Sequence, residues 1–326
     1  LKFINEDVKL IITIDLGITA IDEVSYANEN GIDVIITDHH LPHEKLPDAY
    51  AILNPKQIGC LYPFKELCGA GVMFKLVCAL NSLCLQKVEN TKWFLDMAGL
   101  ATLSDMVPLV GENRVLAYFG MKVLKKTRRP GLIHLYKKTK LDVEHLTEDD
   151  LTFMISPRLN AASRLDSPMR AFETLATKDP VLAIQSAELL IKVNDLRKTL
   201  VIDIMDEVHR EFLSFEKNSV VVIGNPSWRP GVLGLVASKI VEKYNKPAFV
   251  WGGDGEIYKG SCRSDGSVHV VDLMTKVENV FDNFGGHEFS GGFSFAREKV
   301  IQLKEKLNEY FHEFKREKVS NTYNID

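Results

Sequence analysis

Cysteine is scarce in this chain and its spacing is uninformative. Five cysteines, Cys60, Cys68, Cys78, Cys84 and Cys262, occur among 326 residues, and none belongs to a C-x-x-C pair. An odd number without ligand spacing supplies neither a disulfide framework nor a thiolate zinc site, and it predicts reduced thiols in a cytoplasmic protein. Long apolar runs are lacking too: none approaches the ~20 residues of a membrane-spanning helix, so no membrane association is expected. No signal-peptide pattern, internal repeat or low-complexity segment is seen. There is no P-loop, and the isolated G-x-G patterns do not make a dinucleotide fingerprint. The net charge of −4 argues neither for nor against nucleic acid, because local charge decides that.

What is present is an ordinary globular composition, 45% hydrophobic and 26% charged, in a chain long enough to predict two domains. The first residue is Leu1 and the first strand begins within ten residues, so the natural N-terminus is expected upstream. Two apolar runs, 10–14 and 32–37, read as short buried strands. Residues 20–30 between them read as a helix closed by Gly31, and 49–53 as a third strand. Helices are predicted over 69–86, 91–103 and 113–126, the last ending in a basic run that includes Lys122 and Arg129 and reads as a solvated helix end. Thr147 with Asp150 three residues on predicts a capped helix start. Residues 180–215 contain no glycine and no interior proline, which predicts one long helix. Alternation then resumes: strands at 219–223, 247–251, 256–261 and 289–295, with helices at 231–244 and 298–315. Trp93 and the phenylalanines read as core, and the tail 319–326 as loose.

Chemistry gathers in five places. Asp15 ends the first strand and Asp38-His39-His40 ends the second, at the sheet edge where open parallel sheets collect ligands. Asp105 stands at a helix break and could turn inward. Imidazole and carboxylate together suit Mn²⁺, Zn²⁺ or Fe²⁺ and would lower the pKa of a bound water; in isolation the tripeptide would read as a cap and two solvated histidines. Gly285-Gly286-His287-Glu288-Phe289-Ser290-Gly291-Gly292 can let backbone approach an anion, or be a glycine-rich turn. Arg158 and Arg164 flank Leu-Asn-Ala-Ala-Ser, either as phosphate binders or as charges on a solvated loop. Arg263 and Ser264 follow a strand. Gly231 and Gly234 open a helix, for close packing or for an anion.

These motifs resemble a known family. Thr13-Ile14-Asp15-Leu16-Gly17-Ile18 with Asp38-His39-His40 is similar to the DHH phosphoesterase superfamily, and Gly285-Gly286-His287 with Ser290-Gly291-Gly292 to its companion DHHA1 domain. Leu103-Ser104-Asp105-Met106-Val107-Pro108-Leu109, the segment from Pro157 to Arg164, and Trp228-Arg229-Pro230-Gly231-Val232-Leu233-Gly234 narrow the resemblance to the RecJ branch, the single-strand-specific DNA exonucleases.

The resemblance implies an α/β fold of two lobes, a parallel-sheet DHH domain and a smaller mixed-sheet DHHA1 domain, joined by a long helix with the active site between them. The corresponding divisions are 1–127, a helical connector 128–216 carrying the arginine-rich segment, 217–318, and a tail 319–326. It implies 5′-to-3′ hydrolysis of single-stranded DNA at a Mn²⁺ or Mg²⁺ centre in repair and recombination, with a single-strand-binding protein and a helicase as partners. Carried over by residue, Asp15 would bridge two metals, His39 and Asp105 would ligate one, and His40 would lie beside the scissile phosphate. Arg158, Asn160, Arg164, Arg263, Ser264, Gly285, Gly286 and His287 would hold the substrate.

Three departures stand out: the family's D-x-D, which ligates the other metal, would lie before Leu1; Arg229 replaces a usual His; and Ser290-Gly291 replaces Ala-Ala. The family's C-terminal OB-like domain is not among these residues. Without the D-x-D, one metal and poor activity are expected. The competing readings are a DHH phosphodiesterase for short oligonucleotides or cyclic dinucleotides, and a scaffold that has lost its metals.

Overall fold

The computed structural model describes residues 2–83 and 91–314. Cys84, the end of the helix predicted over 69–86, Lys315 and the tail 319–326 lie outside the described residues. The chain divides into two compact units, Leu1–Leu159 with Arg170–Glu188, and Asn160–Met169 with Leu189–Asp326.

In the first unit a one-turn helix α1 (Lys2–Asn5) precedes β1 (Leu10–Ile14), α2 (Ile21–Glu29), β2 (Asp33–Thr37) and β3 (Ala51–Leu53). The three strands pair in parallel in the order β1-β2-β3. Ile32, Val34 and Ile36 are buried against Val24 and Ala27 of α2, which gives this small sheet its core. β1 departs from the buried strand expected: Leu10, Ile12 and Ile14 are 47%, 42% and 45% exposed. It has one hydrogen-bonded neighbour, and only its other face, carrying Ile11, reaches the α2 cluster.

Helices complete the unit: α3 (Gly69–Leu83), a 3₁₀ turn Thr91–Phe94, α4 (Leu95–Ser104), α5 (Gly111–Leu124), α6 (Pro130–Thr139), a π-turn Asp150–Ile155, and α8 (Met169–Ala176), while α7 (Ser156–Leu165) and α9 (Pro180–Arg210) begin in it and continue into residues of the second unit. Thr147 and Asp150 cap one another: the Thr147 amide donates to Asp150 Oδ2 at 2.9 Å and the Asp150 amide to Thr147 Oγ1 at 3.3 Å. The basic run at the end of α5 is exposed at Lys122, Lys126 and Arg128, but its two arginines also make contacts. Arg129 grips the buried Asp96 with two hydrogen bonds, at 2.6 and 3.2 Å, and Arg128 lies 4.3 Å over the half-buried Trp93 ring. Segment 157–164 is helix and not loop, because Ala161 and Ala162 are fully buried and anchor one face of α7. Phe153 and Phe172 are 67% and 60% exposed, against the core role expected of the phenylalanines.

α9 runs from residues of the first unit into the second. The second unit adds α10 (Phe212–Phe215), β4 (Val221–Asn225), α11 (Pro230–Tyr244), β5 (Ala248–Gly252), β6 (Ile257–Arg263), α12 (Val270–Lys276), β7 (Asn283–His287), β8 (Ser290–Ala296) and α13 (Val300–Phe314). The five strands form a mixed sheet, order β4-β5-β6-β8-β7, parallel only between β4 and β5. Alternation along each strand feeds two cores. Val221, Ile223, Ala248 and Val250 meet α11, while Phe249, Tyr258, Cys262, Phe293 and Phe295 meet α12 and α13. The glycine-rich segment is not a turn between a helix and a strand. It is the hairpin β7–β8, closed by Glu288 and the exposed Phe289.

Candidate metal centre and phosphate-binding face

The metal-type residues of the first unit converge at the carboxyl ends of β1 and β2. Asp15 follows β1 in the left-handed region, at φ 66, and its amide donates to Thr37 O at 2.9 Å. Gly69, at the start of α3, fits beneath it: a Cβ there would stand 2.3 Å from Asp15 Oδ1. His39 Nε2 lies 3.1 Å from Asp15 Oδ1 and 3.5 Å from Asp105 Oδ2. Asp105 reaches this point because α4 ends at it and Met106 turns the chain at φ 55.

Asp38 is not a ligand-facing residue. It is 1% exposed and accepts from the amides of Ile18 at 3.0 Å, His39 at 2.7 Å and His40 at 3.2 Å, and its Oδ1 lies 2.7 Å from His40 Nδ1. Burial opposes its ionisation, but these hydrogen bonds outweigh burial and hold the carboxyl below its ordinary range. The hydrogen bond to Asp15 raises the His39 imidazole above its usual value; burial opposes the shift and Asp105 adds to it.

One ligand atom each from Asp15, His39 and His40 fall within 4.8 Å of one another. The donor set fits a divalent cation. Two half-exposed carboxylates face His39 Nε2, burial raises the nearby Cys68 thiol and keeps it from being a thiolate, and His39 Nδ1 is buried without a partner, so Nε2 is the working nitrogen. An imidazole beside carboxylates favours Mn²⁺ over Mg²⁺, which takes oxygen ligands almost alone.

The second unit gathers a different chemistry. Arg263, at the end of β6, pairs across the sheet with Ser290, which pairs with His287. Arg164 Nη1 lies 3.4 Å from Gly231 O at the first turn of α11. Local burial and the charge of Arg263 lower the Arg164 guanidinium from its ordinary value. Two cations held together in this way are relieved by an anion. Gly231 and Gly234 serve close packing, the first against the Arg164 carbonyl and the second under Arg263 Nη2. Ser264 Oγ is occupied in a turn, donating to Val268 O at 2.6 Å and accepting from the Gly266 amide. Gly285 and Gly286 lie on β7, and His287 is exposed at its end. Asn160 is exposed on α7.

Arg158, assigned to the first unit, is buried and donates to Met154 O, one turn back. Its guanidinium stitches the π-turn to α7. The turn-capping role offered for Asp38 is the one it takes, while Gly69 as the seat of Asp15 was missed. A buried acid between an apolar strand and two histidines was the one available signal for the former.

The N-terminal domain of the DHH family matches residues 1–103, and the DHHA1 domain matches residues 217–313. The single-stranded-DNA-specific exonuclease RecJ of Bacillus subtilis is 40% identical over 306 residues, which cover 92% of this chain and 38% of that protein. The chain thus spans about two-fifths of that relative's length. The crystal structure of RecJ from Thermus thermophilus in complex with Mn²⁺ superposes with a TM-score of 0.85 at 29% identity, covering 96% of this chain and 47% of that one. A second crystal structure, of exonuclease RecJ bound to manganese, gives a TM-score of 0.81 at 30% identity over 96% of this chain and 79% of that one. With a parallel-sheet unit and a mixed-sheet unit matched in order, the chain belongs to the DHH–DHHA1 phosphoesterase family, in its RecJ branch.

Proposed function

We propose that this chain hydrolyses phosphodiester bonds in single-stranded DNA from the 5′ end, as a RecJ-type exonuclease of repair and recombination. The observation that carries the reading is the convergence of Asp15 and Asp105 on His39 Nε2, at 3.1 and 3.5 Å. In this reading Asp15, His39 and Asp105 would hold Mn²⁺ or Mg²⁺. When bound, the ion supplies a water of lowered pKa and neutralises phosphate charge.

The chain's own residues do the rest. Asp38 fixes His40 through Nδ1, leaving the other ring nitrogen to meet a phosphate oxygen. Gly69 lets Asp15 keep its left-handed conformation. In the second unit Arg164 and Arg263 bind phosphate, and His287 donates to it from the exposed end of β7, with Gly286 and Ser264 shaping the backbone around it. Arg158 and Asn160 support the same segment, Arg158 from within the fold. The divisions 1–127, 128–216 and 217–318 are the functional parts in this account. Cytoplasmic location, a single-strand-binding protein and a helicase complete it.

The test compares three substrates in Mn²⁺: a 5′-labelled single strand, the same sequence as a duplex, and a dinucleotide. Release of the label as mononucleotide from the single strand alone supports the reading. Cleavage of the dinucleotide alone would replace it with a short-oligonucleotide phosphodiesterase, and cleavage of none with a scaffold.

A further inference from the structure

On the β6-β8-β7 portion of the second sheet, three cross-strand rows share one face: Lys259–Ser294–Asn283, Ser261–Gly292–Gly285 and Arg263–Ser290–His287. The intervening residues Tyr258 and Cys262 are buried on the opposite face, so these rows look away from the α12–α13 core. No acid and no large apolar side chain occurs among the nine positions. Lys259 and Asn283 are exposed, and a cavity of about 500 Å³ opens over the Lys259 row and the paired glycines, bordered by Pro230 and Leu233 of α11 and by Lys259, Gly285, Gly292 and Ser294.

The middle row is where the fold does not explain the sequence. A Cβ on Gly285 would meet nothing within 4 Å, and one on Gly292 only Gly260 O at 3.8 Å. Their neighbours differ: a Cβ on Gly286 would strike Ser290 O at 2.3 Å, and one on Gly291 would press on Cys262 Sγ at 2.9 Å. Glycine inside a strand weakens it and marks a close approach by something else when packing does not demand it. Among the described residues nothing packs on the paired glycines.

We infer that Gly285 and Gly292 floor a trough for a short stretch of the strand, and that Lys259, with Asn283 and Ser294, forms a second phosphate subsite beyond it. This rests on the single-strand nuclease reading. Lys259 and Arg263 are four residues apart on β6, about 14 Å at about 3.4 Å per residue, so a strand that touches both must cross the trough. Arg263 and Lys259 carry the charge, and the bare backbone between them lets a sugar or base lie against the sheet. A dinucleotide held at Arg263 does not need Lys259.

The test measures binding of oligothymidylates of two and twelve nucleotides to the full chain in EDTA, where hydrolysis is suppressed. Lys259→Ala is expected to weaken binding of the twelve-mer and flatten its salt slope by about one, leaving the dinucleotide unchanged. Gly285→Val should keep the wild-type melting temperature and lose twelve-mer affinity; Gly285→Ala, whose added carbon meets nothing, guards against a folding defect. Twelve-mer binding with wild-type affinity and slope in Lys259→Ala, or an equal loss on both lengths, would overturn the subsite. If Arg263→Ala still weakens the twelve-mer, the trough alone falls; if neither variant changes binding, the single-strand reading falls with it.

Discussion

Gly69 lies directly beneath Asp15: a Cβ on the glycine would stand 2.6 Å from the aspartate's Cα and 2.3 Å from its Oδ1. The carboxylate is therefore placed by a residue 54 positions away that has no side chain. Gly69→Ala is expected to push Asp15 off its left-handed backbone, lowering Mn²⁺ affinity about 10–100-fold, as for other residues that orient a ligand. Overpacking should also cost about 1–3 kcal/mol of stability. Calorimetric titration with Mn²⁺ beside thermal denaturation checks both. Unchanged metal affinity would show that Asp15 is held by other means.

The three arginines separate into two classes. Arg158→Ala should lower the melting temperature, because its guanidinium joins α7 to the turn before it. Arg164→Ala and Arg263→Ala should leave melting nearly unchanged and each reduce the salt slope of single-strand binding by about one. Equal melting losses in all three would return Arg164 and Arg263 to structural roles.

His287 is exposed at the end of β7 and belongs to no apolar cluster. His287→Ala should lower turnover with little change in melting temperature. A folding defect with full specific activity in the folded fraction would contradict a role on substrate.

The pH dependence of stability has a source away from the metal centre. Glu112 accepts from Tyr62 at 2.9 Å and pairs with Lys75. Burial opposes its ionisation, but Lys75 and Tyr62 outweigh burial and hold its carboxyl below the ordinary glutamate value. Burial likewise lowers the Lys75 ammonium, but Glu112 outweighs it and raises the group overall. A depressed acid contributes stability above its unfolded pKa of about 4.3, and that contribution is lost as pH falls through the lower folded value. A raised amine contributes fully below about 10.4, and its contribution is lost as pH rises through the folded value. The contribution of this pair should therefore be constant between these limits, and Glu112→Gln should remove part of the acid-side fall in melting temperature. An identical acid limb in the variant would assign that limb to other carboxylates.

Much of the centre was legible because apolar runs of strand length end in Asp15 and in Asp38-His39-His40, and strand ends are where parallel sheets expose chemistry. What could not be read is direction. Asp38 points back into its own loop and His39 outward, a distinction set by side-chain hydrogen bonds and not by composition. Arg158 and Arg164 are six positions apart, about 240° around a helix, so one is buried and the other is not. β7 was hidden because Asn-Phe-Gly-Gly-His has little strand propensity; it is a strand because β8 pairs with it. α6 and α8 are short, ten and eight residues, so each offers few turns over which a helical period can be read.

The central claim is that Asp15, His39 and Asp105 form a divalent-cation site that this chain uses to cut single strands. The most direct measurement is hydrolysis of a 5′-labelled single strand by the chelated 326-residue chain before and after Mn²⁺ is restored, beside His39→Ala. The account predicts no hydrolysis in chelator, its return with Mn²⁺, and no return in the variant. Hydrolysis that persists under complete chelation, or that Mn²⁺ restores equally to His39→Ala, would contradict it.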